Sequence, residues 1–221
     1  MIGLSKSTLA VFKDCKRCFW LSKNKKIERP RGPFPSIVRG LDNKMKQAVE
    51  SAIASGQPMA WLKEIHGAEP FADRELLKTF RNWRTFKALV KTSGREVLLW
   101  GELDDLIEFP ADKMVAPWDF KSNGEERDDD YFKKYNQLDA DVYDLILGMN
   151  GLVCTGDAYF TSMWPAEGEA NTVHFNWRTV KLETNPEAAV KLAVDAIQCL
   201  EGSIPGMNPA CEFCKYVRAA F

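Results

Sequence analysis

The chain has 221 residues, 45% hydrophobic and 28% charged, with a formal net charge of −1 at pH 7. That composition supports a buried core and excludes wholesale disorder. No apolar run approaches the roughly 20 residues of a membrane helix, and the opening MIGLSKSTLA lacks the apolar stretch of a signal peptide. The expectation is a soluble, cytoplasmic protein with no membrane partner.

Ser5 and Ser7 offer N-caps for a first helix reaching about Leu21, with Leu9, Phe12 and Phe19 on its apolar stripe. Cys15 and Cys18 lie on one side of it. The following KNKKIERPRGPFPS is a basic loop, since Pro30, Pro33 and Pro35 break any helix. A second helix fits Leu41–Ser55 and a third Glu75–Lys91, where Lys78, Arg81 and Arg84 are spaced as a basic ridge. Residues 95–109 and 113–122 read as strands broken at Pro110–Asp112. A long helix covers Tyr131–Met149, strands cover Asp157–Trp164 and Val173–Leu182, and a last helix covers Glu187–Leu200. This order predicts a mixed sheet flanked by helices.

Charge is uneven. Residues 1–31 hold nine bases and two acids, net +7, whereas residues 101–144 hold fourteen acids and five bases, net −9. Such a split suits a protein that holds a polyanion on one surface and a cation on another. Six cysteines include two C-x-x-C pairs, Cys15/Cys18 and Cys211/Cys214, which in an intracellular protein read as metal or redox chemistry before disulfides. Cys154 and Cys199 read as core. His66 and His174 stand alone and read as structural or surface residues, which argues against a histidine general base.

The chemistry centres on G-E-L-D, Gly101–Asp104, followed fifteen residues later by D-F-K, Asp119–Lys121. On a strand, Asp119 and Lys121 share one face while Trp118 and Phe120 take the other. Asp104 can meet them. Two carboxylates brought together need a cation between them, and hard oxygen donors select Mg²⁺ or Mn²⁺.

These pieces together resemble the PD-(D/E)XK nuclease superfamily, in its RecB-like branch of CRISPR-associated spacer-trimming nucleases and helicase–nuclease domains. SKSTLAVFKDCKRCFWL is similar to the branch's opening helix, and GELDDLIEF to its G-x-x-D strand. PWDFKS is similar to its D-x-K strand, YNQLDADVYDLILGMNG to its Q-L helix, and CEFCKYVRAA to its C-terminal clasp. The resemblance implies a restriction-endonuclease-like α/β fold, a mixed central sheet flanked by helices, with the two chain ends joined by a four-cysteine metal clasp. It implies one nuclease domain over 1–221: a mainly helical part at 1–94, a core at 95–185, and a C-terminal helix and clasp at 186–221. Asp104, Asp119 and the Phe120 carbonyl would hold Mg²⁺ or Mn²⁺, Lys121 would position the attacking water, and Gln137 would sit beside the site. The family's early-helix ligand falls on RGLDNKMKQAVE, where Asp42 is either that ligand or a helix N-cap. The family's tyrosine four residues after the glutamine is replaced here by Asp141, with Tyr143 two residues further on.

Cys15, Cys18, Cys211 and Cys214 would bind a 4Fe–4S cluster, with structural Zn²⁺ as the alternative. Phosphates would be gripped by the basic arm (Arg17, Lys23, Lys25, Lys26, Arg29 and Arg31) and by Arg81 and Arg84. The expected activity is metal-dependent DNA hydrolysis, exonucleolytic or end-trimming, in recombination, repair or CRISPR adaptation. DNA is the partner, with a helicase, integrase or recombination protein as a further class, in a cell of prokaryotic or viral type. Two readings remain beside it: a noncatalytic nucleic-acid binder on the same fold, and a zinc-stapled interaction module.

Overall fold

The computed structural model describes residues 2–30, 36–92 and 94–215. Ile2–Ser5 form β1, and Ser5 then starts a helix by accepting the Thr8 N–H on its hydroxyl at 3.1 Å. The predicted single helix is two: α1 (Lys6–Asp14) and α2 (Lys16–Trp20), which runs into a π-helical turn at Leu21–Lys25. The break is at Cys15, whose extended backbone (φ −154°, ψ 106°) redirects the chain at the first cysteine. Lys26, at φ 58°, ends the turn in the left-handed region.

α3 spans Ser36–Ser55, starting five residues before the predicted Leu41. Asp42 therefore lies within the helix and is not its N-cap. β2 (Glu69–Pro70) is followed by α4 (Arg74–Phe80), capped by the Asp73 carboxylate on the Leu76 N–H at 2.9 Å. The predicted Glu75–Lys91 helix stops at Phe80, and Lys87–Thr92 form β3 instead. There Ala88 and Val90 are buried while Lys87 and Lys91 are exposed, a period of two that outweighs the helical spacing.

The predicted strand 95–109 is also two, β4 (Arg95–Trp100) and β5 (Asp105–Phe109), and the four residues between them carry the chain from one sheet to another. β6 (Met114–Ser122) leads to α5 (Asp129–Met149), capped by Asp128. β7 (Asp157–Glu169) and β8 (Thr172–Glu183) form a hairpin longer than its apolar pattern foretells. Its tip is polar and exposed, so burial leaves no alternation there to read. α6 (Pro186–Glu201) follows.

The fold is mixed α/β with two mixed sheets. One has the order β1-β4-β3, with β1 parallel to β4. The other has the order β2-β5-β6-β7-β8, antiparallel except for β6 and β7, which α5 connects in parallel. α3 covers one face of the larger sheet through Met45 and Val49 on Ile107, Ala116, Trp118 and Phe120. α5 covers the other through Phe132 and Ala140 on Ala158, Phe160 and Leu182. A separate core joins α1, α5 and α6 to the smaller sheet around Leu4, Leu9, Val97, Leu99, Ile146 and Ala193. Each of the larger aliphatic and phenylalanine side chains contributes roughly 1.5–3 kcal/mol by leaving water.

Candidate functional site

Asp104 sits where the chain changes sheets, and several groups fix that passage. The Gly101 N–H donates to the Phe86 carbonyl at 3.1 Å. The Tyr143 hydroxyl donates to the Glu102 carbonyl at 2.7 Å, and Arg81 Nε to the Asp104 carbonyl at 2.7 Å. Gly101 is needed for space: a Cβ there would stand 3.0 Å from the Tyr143 ring. Beneath the passage Asp105 is fully buried, paired with Arg74 at 3.1 Å and Arg81 at 2.7 Å, and both arginines also reach Glu50. Arg81 is thus a brace for the site loop and does not lie on a basic ridge. Lys78 pairs with Glu75 at 2.5 Å, so no free ridge stands on α4.

On β6, Trp118 and Phe120 pack under α3, and Asp119 and Lys121 take the opposite face. The Asp104 carboxylate accepts the Phe120 N–H at 2.9 Å. Lys121 Nζ pairs with Asp119 and, at 3.2 Å, with Asp139 of α5. Asp139 in turn takes Lys6 Nζ at 2.5 Å, and that amine lies 5.0 Å from the centre of the Tyr143 ring. Asp42 enters the same cleft, where Lys46 bridges it at 3.2 Å to Asp104 at 2.6 Å. The cleft has a volume of about 710 Å³.

Its electrostatics are strained. Burial, then the neighbouring Asp104, raise the Asp119 carboxyl above its ordinary 3.8 despite Lys121 and Lys6. Burial opposes the charged form of Lys121, yet Asp119 and Asp139 overcome it and hold the ammonium above its usual range. Lys6 and Lys46 follow the same pattern, raised against burial chiefly by Asp139 and by Asp104. Tyr143 is pushed well above 10 by burial and the surrounding carboxylates. Asp119 Oδ2 is buried, and its partner is the Lys121 ammonium.

Gln137 is not beside this site. Its amide donates to Asp141 at 2.8 Å and to the Glu183 carbonyl at 2.7 Å, in a different cavity. Two residues along a helix turn the side chain by about 200°, so the face of α5 that meets Lys121 carries Asp139 and Tyr143. Those two are one turn apart. Lys6, Lys46 and Asp139 are the residues that motif reading missed, while Tyr143, named there only as out of step with the glutamine, lines the cleft. The signal for α5 was its buried stripe of Tyr143, Ile146 and Leu147, which extended back one turn reaches Asp139.

Three of the six residues of the basic arm are committed to internal contacts. Arg17 donates to the Pro205 carbonyl at 2.9 Å and Lys23 to the Gly3 carbonyl at 3.2 Å. Arg29 pairs with Asp14 at 2.6 Å, lies 4.7 Å from the Phe213 ring and approaches Cys211 Sγ at 3.5 Å. Lys25, Lys26 and Arg84 are exposed; Arg31 lies outside the described residues.

Cys15, Cys18, Cys211 and Cys214 are buried together, their sulfur atoms all within 4.8 Å of one another. Cys15 and Cys214 are 3.7 Å apart and Cys18 and Cys211 3.8 Å. The four could bind a metal ion, which would tie α1 and α2 to the segment after α6. Among the described residues this is the one group of three or more such ligands closed to a single ion's spacing; Asp42, Asp104 and Asp119 share a cleft without closing to that spacing. Cys154 and Cys199 are half-buried and outside the cluster. Among the described residues, no helix is long and apolar enough to cross a membrane. No family model matches the chain, and no curated protein matches it.

Proposed function

We propose that this protein is a divalent-metal-dependent deoxyribonuclease with a restriction-endonuclease-like core of the RecB-like type. The observation that carries the reading is the convergence of Asp104, Asp119 and Lys121 on one cleft, with Asp119 buried there beside the Lys121 ammonium. Two carboxylates in one cleft offer the hard oxygen donors that fit Mg²⁺ or Mn²⁺. Asp104, Asp119 and the Phe120 carbonyl would hold the ion. In an extended strand a residue's N–H and C=O leave on the same edge, and the Phe120 N–H already points at Asp104. Asp42 would complete the set once Lys46 swings off Asp104.

A bound ion would supply Lewis acidity and a water of lowered pKa. The chain's own residues do the rest. Lys121, held cationic by Asp119 and Asp139, donates hydrogen bonds and is no base; it orients a water or offsets charge on a phosphate oxygen. Asp139 fixes where that amine points, and Lys6 fixes Asp139.

Spacing supports a single Zn²⁺ in the cysteine centre over the 4Fe–4S cluster expected from the resemblance. Zn–S bonds of about 2.3 Å place tetrahedral thiolates about 3.8 Å apart, against the 3.7 and 3.8 Å found here. A cluster interposes four irons among its thiolates and holds them wider.

One observation favours a noncatalytic nucleic-acid binder: the Lys46 ammonium already sits between Asp42 and Asp104, where a cation would go. Incubation of labelled DNA with Mg²⁺ or Mn²⁺ separates the readings. The nuclease reading expects cleavage that Asp119→Ala and Lys121→Ala abolish. Cleavage that survives both, or DNA retention without cleavage, overturns it.

A further inference from the structure

The lip of the cleft carries a feature that metal chemistry does not use. Trp83, in the turn between α4 and β3, is 43% exposed, an unusual state for the largest apolar side chain. It stacks at a tilt on Trp100 of β4, ring centres 5.2 Å apart, and the Arg84 guanidinium lies 4.3 Å from its ring centre. Both indoles line the same cleft as Asp104, Asp119 and Lys121.

We propose that Trp83 and Trp100 form a stacking platform for one unpaired nucleobase of a DNA strand whose phosphate enters the cleft, and that this platform selects single-stranded or frayed ends over intact duplex. The proposal rests on the nuclease reading above. An indole offers a π-face that any base can cover without hydrogen-bond readout, here by displacing the Arg84 side chain from the exposed Trp83 ring. A paired base inside a duplex has both faces covered by its neighbours and cannot use it. Charge agrees: the lining holds three lysines (Lys6, Lys46, Lys121) against four acids (Asp42, Glu102, Asp104, Asp119), so one divalent cation makes it net positive. Arg84 at the lip adds a further cation for the backbone.

The test compares wild type, Trp83→Ala and Trp83→Phe in Mn²⁺. Affinity is read by anisotropy for a labelled oligothymidylate, a duplex of the same length and the matching oligouridylate, with cleavage of the two DNAs followed in parallel. Trp83→Ala weakens single-strand binding about tenfold or more, Trp83→Phe restores most of it, duplex affinity changes less than about twofold, and thermal unfolding is unaltered. Equal single-strand affinity in wild type and Trp83→Ala, or an equal loss on duplex, overturns the platform while wild-type cleavage leaves the nuclease reading standing. Tighter binding of oligouridylate than of oligothymidylate overturns the DNA assignment. Single-strand binding that depends on Trp83 without any cleavage upholds the platform and overturns hydrolysis. Binding of neither strand form removes both.

Discussion

The Asp104 carboxylate accepts the Phe120 backbone N–H at 2.9 Å. A side chain thus takes over where the β5–β6 ladder stops, at the Asp105–Trp118 pair. The same carboxylate serves the strand edge and faces the cleft.

These two duties separate by substitution. Asp104→Ala leaves the Phe120 N–H without its acceptor, a cost of about 1–3 kcal/mol. Asp104→Asn keeps an oxygen there but loses the charge. Calorimetry in EDTA shows a lowered melting temperature for the alanine variant and a smaller change for asparagine. Neither variant gains the Mn²⁺-induced stabilisation of wild type.

Asp119 strains the ion-free protein. Its folded pKa lies above the unfolded value, so the fold favours the neutral carboxyl and ionisation costs stability. That cost is absent below the unfolded value of about 4, grows as pH rises from there to the folded value, and is constant above it. In EDTA, the melting temperature of Asp119→Asn relative to wild type therefore climbs with pH from acid towards neutrality. A flat difference across that range contradicts the assignment.

Asp105 is fully buried between two arginines. Asp105→Ala leaves Arg74 and Arg81 with Glu50 as their shared partner and costs about 3 kcal/mol in urea unfolding. It also loosens the Gly101–Asp104 passage, which Arg81 holds by its carbonyl, so Mn²⁺ affinity falls with stability.

Asp139 and Gln137 divide the two faces of α5. Asp139→Ala releases Lys6 and leaves Lys121 to Asp119 alone, and it lowers cleavage by about 10- to 100-fold. Gln137→Ala leaves it within about twofold, because that amide serves Asp141 and the Glu183 carbonyl in another cavity.

The cysteine centre is to be read by elemental analysis after anaerobic purification. One zinc per chain and no visible absorption accord with the sulfur spacing; iron and a brown colour contradict it. Removing the metal with a strong chelator lowers the melting temperature, since the four thiolates hold α1 and α2 to the segment after α6.

The helices with strong apolar stripes, α5 and α6, and the alternation of Trp118–Lys121 were legible in the sequence because burial on one face leaves a period. The split of β4 from β5 was not. Residues 95–109 read as one strand straight through Gly101–Asp104, and the change of sheet there is set by Tyr143 and Arg81, which are distant in sequence. The site's carboxylates and Lys121 could be named from their motif. Lys6 and Lys46 could not, since nothing local distinguishes an amine aimed into a cleft from one in solvent. Arg17, Arg29 and Arg81 erred the other way: composition counted them as a phosphate-binding surface, and tertiary ion pairs and carbonyls consume them.

Crystals soaked in Mn²⁺ and measured at the manganese absorption edge test the central claim most directly. The account predicts an anomalous peak bounded by Asp104, Asp119 and the Phe120 carbonyl, with Lys46 displaced from Asp104. A peak elsewhere, or none while Lys46 still bridges Asp42 and Asp104, contradicts it.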